Sequence, residues 1–282
     1  MYDNQIFEKI NKHYNYIKSL GYEVIAIFAQ GSMNYNLYIQ DDDYKSDVDT
    51  KCIVLPTLDD LIKGKKMVST KYELEGEQID VKDIRVMMEQ WRKQNQSYLE
   101  LLFTKYYIVN PAYQSFMDNI LDMKEELSHL NEPQFIRSIY GMAQEKVIVL
   151  KKPYPSTIDK IEKYGYDPKQ FASIIRLGHL ANEFFNKNKS FLESIWYEDE
   201  NFVKNDSASA RNFVIKAKEG CYSLEFAEDI ANKYLLDIKD IKDEIIEKQG
   251  RDNFNSEIYE QLETQVYSLV KFGICKIVNK EN

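Results

Sequence analysis

Phe28-Ala-Gln-Gly-Ser-Met-Asn-Tyr-Asn-Leu37, followed by Ser46-Asp-Val-Asp-Thr-Lys51, decides how this chain is read. The apolar run Val24 to Phe28 leads into Gly31-Ser32, and the pair Asp47 and Asp49 opens a second apolar run, Cys52 to Leu55. Short apolar runs bounded by turn residues predict buried strands. Alternate residues of a strand share a face, so the spacing predicts that both carboxylates point the same way. Two such carboxylates repel each other unless a cation lies between them, and hard oxygen ligands suit Mg²⁺. A glycine turn offers backbone N–H groups to an anion, helped by the positive end of a following helix. Carboxylates for a cation beside a cradle for phosphate are the equipment for moving a nucleotidyl or phosphoryl group. Either element alone is commonplace: many Asp-x-Asp pairs are solvated strand ends, and many glycines only turn the chain.

The surrounding pattern predicts an α+β fold. Residues 4–19 carry Ile6, Ile10, Tyr14 and Ile17 at helical spacing, and Gly21 ends that helix. Strands are expected at Val24–Ala29 and Asp47–Leu55, with a short helix after Gly31-Ser32 and the acidic loop Asp41 to Asp43 between them. Thr57 is placed to cap a short helix reaching Lys63. Tyr72–Leu74 and Ile79–Ile84 read as strands paired around Glu75-Gly76, with Ile79 and Val81 on one face and Asp80 and Lys82 on the other. From Met87 onward the periodicity is helical, apart from a short strand expected at Phe191–Tyr197. Long helices are expected at Gln134–Leu150 and Lys169–Asn186. This predicts a small mixed β-sheet core at residues 1–115 and a helical C-terminal region at 116–282.

The Gly-Ser and Asp-x-Asp elements resemble the active-site signature of the DNA polymerase β-like nucleotidyltransferase superfamily. Two further segments are similar to elements of predicted bacterial and phage nucleotidyltransferases. One is Asn95-Gln-Ser-Tyr-Leu-Glu-Leu-Leu-Phe103, and the other runs from Tyr164-Gly-Tyr-Asp-Pro-Lys169 to Arg176-Leu177. The resemblance covers roughly Phe28 to Ala231 and departs from the family at two places. The loop before Asp-x-Asp carries extra acids, and Ser173 stands where many relatives have His.

The resemblance implies transfer of an NMP from an NTP to an acceptor hydroxyl, with release of pyrophosphate and with Mg²⁺ or Mn²⁺ as cofactor. Asp47 and Asp49 would be catalytic metal ligands, and Gly31 and Ser32 would bind the nucleotide's phosphates. A third carboxylate from a neighbouring strand is needed; Asp80 is the expected one, with Asp83 as the competitor on the opposite face. The N-terminal motif supplies little positive charge, because Lys51, two residues past Asp49, is expected to be drawn into pairing with the acids. Lys169 and Arg176, seven residues apart and so on one helix face, are therefore expected to meet the triphosphate. Otherwise they are solvated helix charges. Glu100 is expected to be structural, able to pair with Arg137 or Arg176, and His13, His129 and His179 are expected to be packing or surface residues.

Composition narrows the partners. A net charge of −9 and a pI near 5.1 argue against non-specific binding to long nucleic acids. Three widely spaced Cys with no CxxC, no signal-peptide pattern and no long apolar run lead to the expectation of a cytoplasmic protein without a membrane partner. The acceptor stays open among small molecule, RNA and protein. Two alternatives stand beside the transferase: a nucleotide-binding regulator or pseudoenzyme, and a defence or toxin-type enzyme modifying tRNA or protein.

Overall fold

The computed structural model of the chain describes residues 2–39, 46–198 and 206–281. The expected acidic loop Asp41 to Asp43 lies outside the described residues. The fold is α+β: a mixed sheet with many helices, the C-terminal part helical throughout. The chain divides into two compact units. The first comprises residues 1–34, 38–130 and 254–282, and the second residues 35–37 and 131–253.

The first unit is built on a five-stranded sheet. Its strands are β1 (Val24–Ala29), β2 (Thr50–Val54), β3 (Ser69–Leu74), β4 (Glu77–Asp83) and β5 (Tyr107–Val109), in spatial order β3-β4-β2-β1-β5. β2 and β4 are parallel and the other pairs antiparallel. Helix α1 (Tyr2–Ser19) lays Ile6, Ile10 and Ile17 against Val24, Ile27, Cys52, Val54, Ile79 and Val81, so one face of the sheet is dry. β1 is buried along its whole length, as expected of a strand covered on both faces. Thr57 caps α2 (Leu58–Ile62) by accepting the Asp60 N–H at 3.1 Å. The β3–β4 hairpin turns on Glu75 and Gly76, both with positive φ, which matches the right-handed twist of the strands.

After β4 come α3 (Ile84–Arg92), α4 (Gln96–Leu99), β5, α5 (Gln114–Asp122) and α6 (Lys124–Ser128). β5 is a correction to the expectation of helical pattern between Met87 and Phe191: three residues are too few to show a period, but Tyr-Ile-Val pairs well with β1. The expected boundary at 115/116 falls inside this unit. The reason is the last helix, α13 (Ser256–Glu281), which packs on α3, α5 and α6. Phe272 meets Phe116 and Tyr113, Lys276 reaches Glu23 at 3.3 Å, and Gly273 lies so close to Leu55 that a Cβ there would come within 2.7 Å.

The second unit holds α7 (Glu132–Val149), α8 (Ile158–Tyr164), α9 (Pro168–Ala181), α10 (Phe191–Ile195), α11 (Asp206–Lys218) and α12 (Leu224–Gln249). α7, α9 and α12 pack on one another and α11 packs on α9. Rings of Phe135, Phe184, Phe185 and Phe191 form one part of the core. α9 ends five residues earlier than expected and continues as a π-helical turn, Asn182–Asn186. The expected strand at Phe191–Tyr197 is instead α10, fixed by a capping box between Ser190 and Glu193. Among the described residues no helix is long and apolar enough to cross a membrane.

Candidate active site

β1 and β2 are antiparallel, with Ala29 opposite Thr50. The turn leaving β1 therefore lies beside the segment entering β2, and the Gln30 N–H donates to the Asp49 carbonyl at 2.9 Å. Gly31 has φ +93°, a conformation L side chains rarely adopt, and an added Cβ would meet nothing within 4 Å. Glycine is thus needed there for the backbone, not for space. Ser32–Tyr35 forms a single 3-10 turn, and the Asn34 N–H closes on the Gly31 carbonyl at 3.0 Å. So short a turn offers amide donors but little helix dipole, which trims the expectation of a helical positive end. Asn34 is buried; its amide donates to the Ala29 carbonyl at 3.1 Å while its Oδ1 has no partner.

The strand expected from Asp47 begins only at Thr50, so both acids lie on the approach to β2. Asp47 is exposed and Asp49 half-buried. Asp49 Oδ1 accepts the Gln78 N–H at 2.9 Å, which ties it to the start of β4. The Val48 N–H donates to Glu77 at 3.1 Å. Glu77 is itself buried and paired with Lys9 and with His13, whose Nε2 is 3.4 Å away. The sequence reading missed Glu77 because it began β4 two residues too late.

The register of the parallel pair sets Lys51 directly opposite Asp80. Lys51 is 4% and Asp80 9% exposed. Asp80 Oδ2 accepts from Lys51 at 2.5 Å, and Oδ1 lies 2.8 Å from the Lys82 ammonium. Burial tends to raise the Asp80 pKa, but the two lysines outweigh it and hold the carboxyl below its ordinary value. Burial lowers that of Lys51 against the opposing fields of Asp80 and Glu100. The Lys51 ammonium sits 4.4 Å from the centre of the Tyr98 ring, and the Tyr98 hydroxyl is pushed up to about 12 by burial and by Asp80. Gln96 donates to Glu100 at 2.6 Å. The 95–103 segment singled out by resemblance thus closes over Lys51, and Glu100 is buried, contrary to the usual lot of a helical Glu. Asp83, the competing third acid, caps α3 and binds the Arg85 guanidinium at 2.6 and 3.0 Å.

In the second unit Lys169 is exposed in the first turn of α9, while Arg176 is partly buried. The Arg176 guanidinium lies 3.5 Å from the centre of the Tyr35 ring, and its Nε is buried without a hydrogen-bond partner. Tyr35 is held by its carbonyl, which accepts the Tyr197 N–H at 3.1 Å, and Asn36 donates to the Tyr197 carbonyl at 2.8 Å. The Ser173 hydroxyl donates to the Lys169 carbonyl at 2.8 Å, a helix-internal bond. His13 and His179 are packed, as expected: His13 bonds Thr50 at 3.0 Å and His179 stacks on Tyr197.

Among the described residues no three His, Cys, Asp or Glu side chains are grouped to hold a metal ion. The donor chemistry at Asp47 and Asp49, two carboxylates two residues apart on the approach to β2, fits a hard divalent cation such as Mg²⁺ or Mn²⁺. Asp80 differs, because an ammonium already stands beside each of its oxygens, hydrogen-bonded at Oδ2 and paired by charge alone at Oδ1.

Neither family models nor curated proteins match the chain. Among solved structures, a nucleotidyltransferase-like protein from Exiguobacterium sibiricum is similar over 95% of this chain and 91% of that one, at 13% identity and a TM-score of 0.28.

Proposed function

We propose that the chain is a metal-dependent nucleotidyltransferase that moves an NMP from an NTP to an acceptor hydroxyl and releases pyrophosphate. The observation that carries the reading is the adjacency of an open glycine turn and a carboxylate pair, fixed by the bond from the Gln30 N–H to the Asp49 carbonyl. Backbone N–H groups at Gly31 and Ser32 would hold phosphate oxygens, for which a positive-φ glycine is suited. Asp47 and Asp49 would hold Mg²⁺ or Mn²⁺, which when bound supplies charge to the phosphates and makes an acceptor hydroxyl easier to deprotonate. Arg176 and Lys169 are the cations proposed for the β- and γ-phosphates, where charge grows as pyrophosphate leaves.

The test is transfer of label from each α-labelled NTP to components of a cell extract with Mg²⁺ or Mn²⁺, scored together with pyrophosphate release. Transfer that disappears in Asp47→Asn and Asp49→Asn, with the fold intact, is the expected result. NTP binding without transfer under any acceptor would favour the regulator or pseudoenzyme. Label on tRNA or protein would favour the defence or toxin-type enzyme.

A further inference from the structure

Asp80 is the expected third metal ligand, yet its surroundings suit another task. Each of its oxygens faces an ammonium: Oδ2 accepts a hydrogen bond from Lys51 at 2.5 Å, and Oδ1 lies 2.8 Å from that of Lys82, an ion pair without a hydrogen bond. Both lysines are buried, Lys51 to 4% and Lys82 to 8% exposure, so neither can swing into water to make room. Each is also held from its other side. Lys82 donates to the Ser69 hydroxyl at 2.7 Å, and Lys51 lies on the Tyr98 ring with Glu100 contributing to its field. The arrangement is not an accident of long side chains, since the parallel register of β2 and β4 sets Lys51 opposite Asp80. A divalent cation on either Asp80 oxygen would stand a few ångströms from an ammonium in a partly desolvated place, where like charges repel strongly.

We infer that this chain builds a single-cation centre. Asp47 and Asp49 are the ligands, and Asp80 is the anchor that fixes Lys51. The Lys51 ammonium, on β2 two residues past Asp49, stands against Asp80 where a second ion held by that carboxylate would have to stand. The inference rests on the nucleotidyl-transfer reading and refines which acids serve the cation. Lys51 and Asp80 are positioning residues here, since they act through each other and through β2, which Asp49 directly precedes.

The test counts Mn²⁺ per chain by electron paramagnetic resonance and titration calorimetry, with a non-hydrolysable ATP analogue at saturation. One ion per chain is expected for the wild type, and two would overturn the inference while leaving nucleotidyl transfer standing. No Mn²⁺–analogue binding at all would overturn both. Lys51→Met releases Asp80 Oδ2 and is expected to admit a second ion; a count that stays at one would show that Lys51 does not stand in for it. Asp80→Asn is expected to lower the melting temperature and to leave one Mn²⁺ bound, weakened by no more than the roughly 10–100-fold of an outer-shell change, whereas loss of all Mn²⁺ binding would make Asp80 a ligand. Should Asp80→Asn not fold, the wild-type and Lys51→Met counts decide.

Discussion

Lys51 and Arg176 are both partly or fully buried cations beside an aromatic ring, but the chain holds them in opposite ways. Lys51 lies on Tyr98 and is bound to Asp80, which also takes Lys82. Arg176 lies on Tyr35, and among the described residues no carboxylate forms an ion pair with it. An aromatic face attracts a cation without neutralising it, whereas a carboxylate cancels most of its charge. The first cation is therefore neutralised inside the sheet unit, and the second keeps its charge against a ring. The Nε of Arg176 is moreover buried without a hydrogen-bond partner, which costs free energy.

Breaking the carboxylate-held cation should give the largest effect. Asp80→Ala leaves Lys51 and Lys82 as buried charges without their acid, a loss expected to cost about 3–5 kcal/mol of folding stability in urea titration. Adding Lys51→Met to that background should recover part of it, because the uncompensated charge is then removed. A loss below about 1 kcal/mol would show the cluster behaving like a surface ion pair, and the contrast with Arg176 would dissolve.

The aromatic-held cation should fail differently. Arg176→Ala should scarcely change stability but weaken ATP binding by about 1.5–3 kcal/mol, roughly ten- to hundredfold, with a smaller loss for AMP. Lys169→Ala tests the exposed partner in the same assay. Tyr35→Leu keeps the charge and removes the ring, so a smaller loss is expected, on the order of 0.5–2 kcal/mol. Equal ATP affinity in wild type and all three variants would make Arg176 and Lys169 ordinary helix charges.

Local signals in the sequence foretold much of this. Thr57 announces its cap, Glu75-Gly76 its hairpin, and the spacing of Asp49 and Lys51 the drawing of that lysine toward acids. What the sequence hid depends on contacts between distant segments. β5 is too short to show alternation and exists because β1 offers it an edge. α13 joins the sheet unit because Phe272 and Gly273 fit Tyr113, Phe116 and Leu55, which no local pattern reveals. α10 was legible in principle, since Ser190 and Glu193 stand at capping-box spacing, but the β-branched and aromatic content around them reads as strand. Asp80 was placed on the correct side of β4, opposite Ile79 and Val81. That Lys51 meets its Oδ2 follows from the parallel register, which a single sequence does not display, whereas Lys82 stands two residues on along the same strand.

The smallest expected effect is a pH slope that also separates the two regions. His13 is buried beneath β2, facing Thr50 and Glu77, with Lys9, Lys12 and Glu75 nearby. Burial pushes its pKa below 6.5, and Glu77 only partly opposes this. Between that depressed value and 6.5 the folded chain binds fewer protons than the unfolded one. Stability contributed by His13 is thus present above pH about 6.5 and is lost as the pH falls through that interval. His179, stacked on Tyr197 and facing Glu183, Lys187 and Lys189, is depressed by burial in the same sense in the second unit. Urea midpoints of wild type, His13→Gln and His179→Gln between pH 5 and 7 should show a steep acid loss in wild type and a flatter one in each variant. If the regions are held as differently as Lys51 and Arg176 indicate, His13→Gln should change stability without touching the affinity for ATP at any of these pH values. A parallel shift of all three curves would assign the slope to other groups, and an ATP affinity that tracks His13 would tie the buried sheet charges to the nucleotide after all.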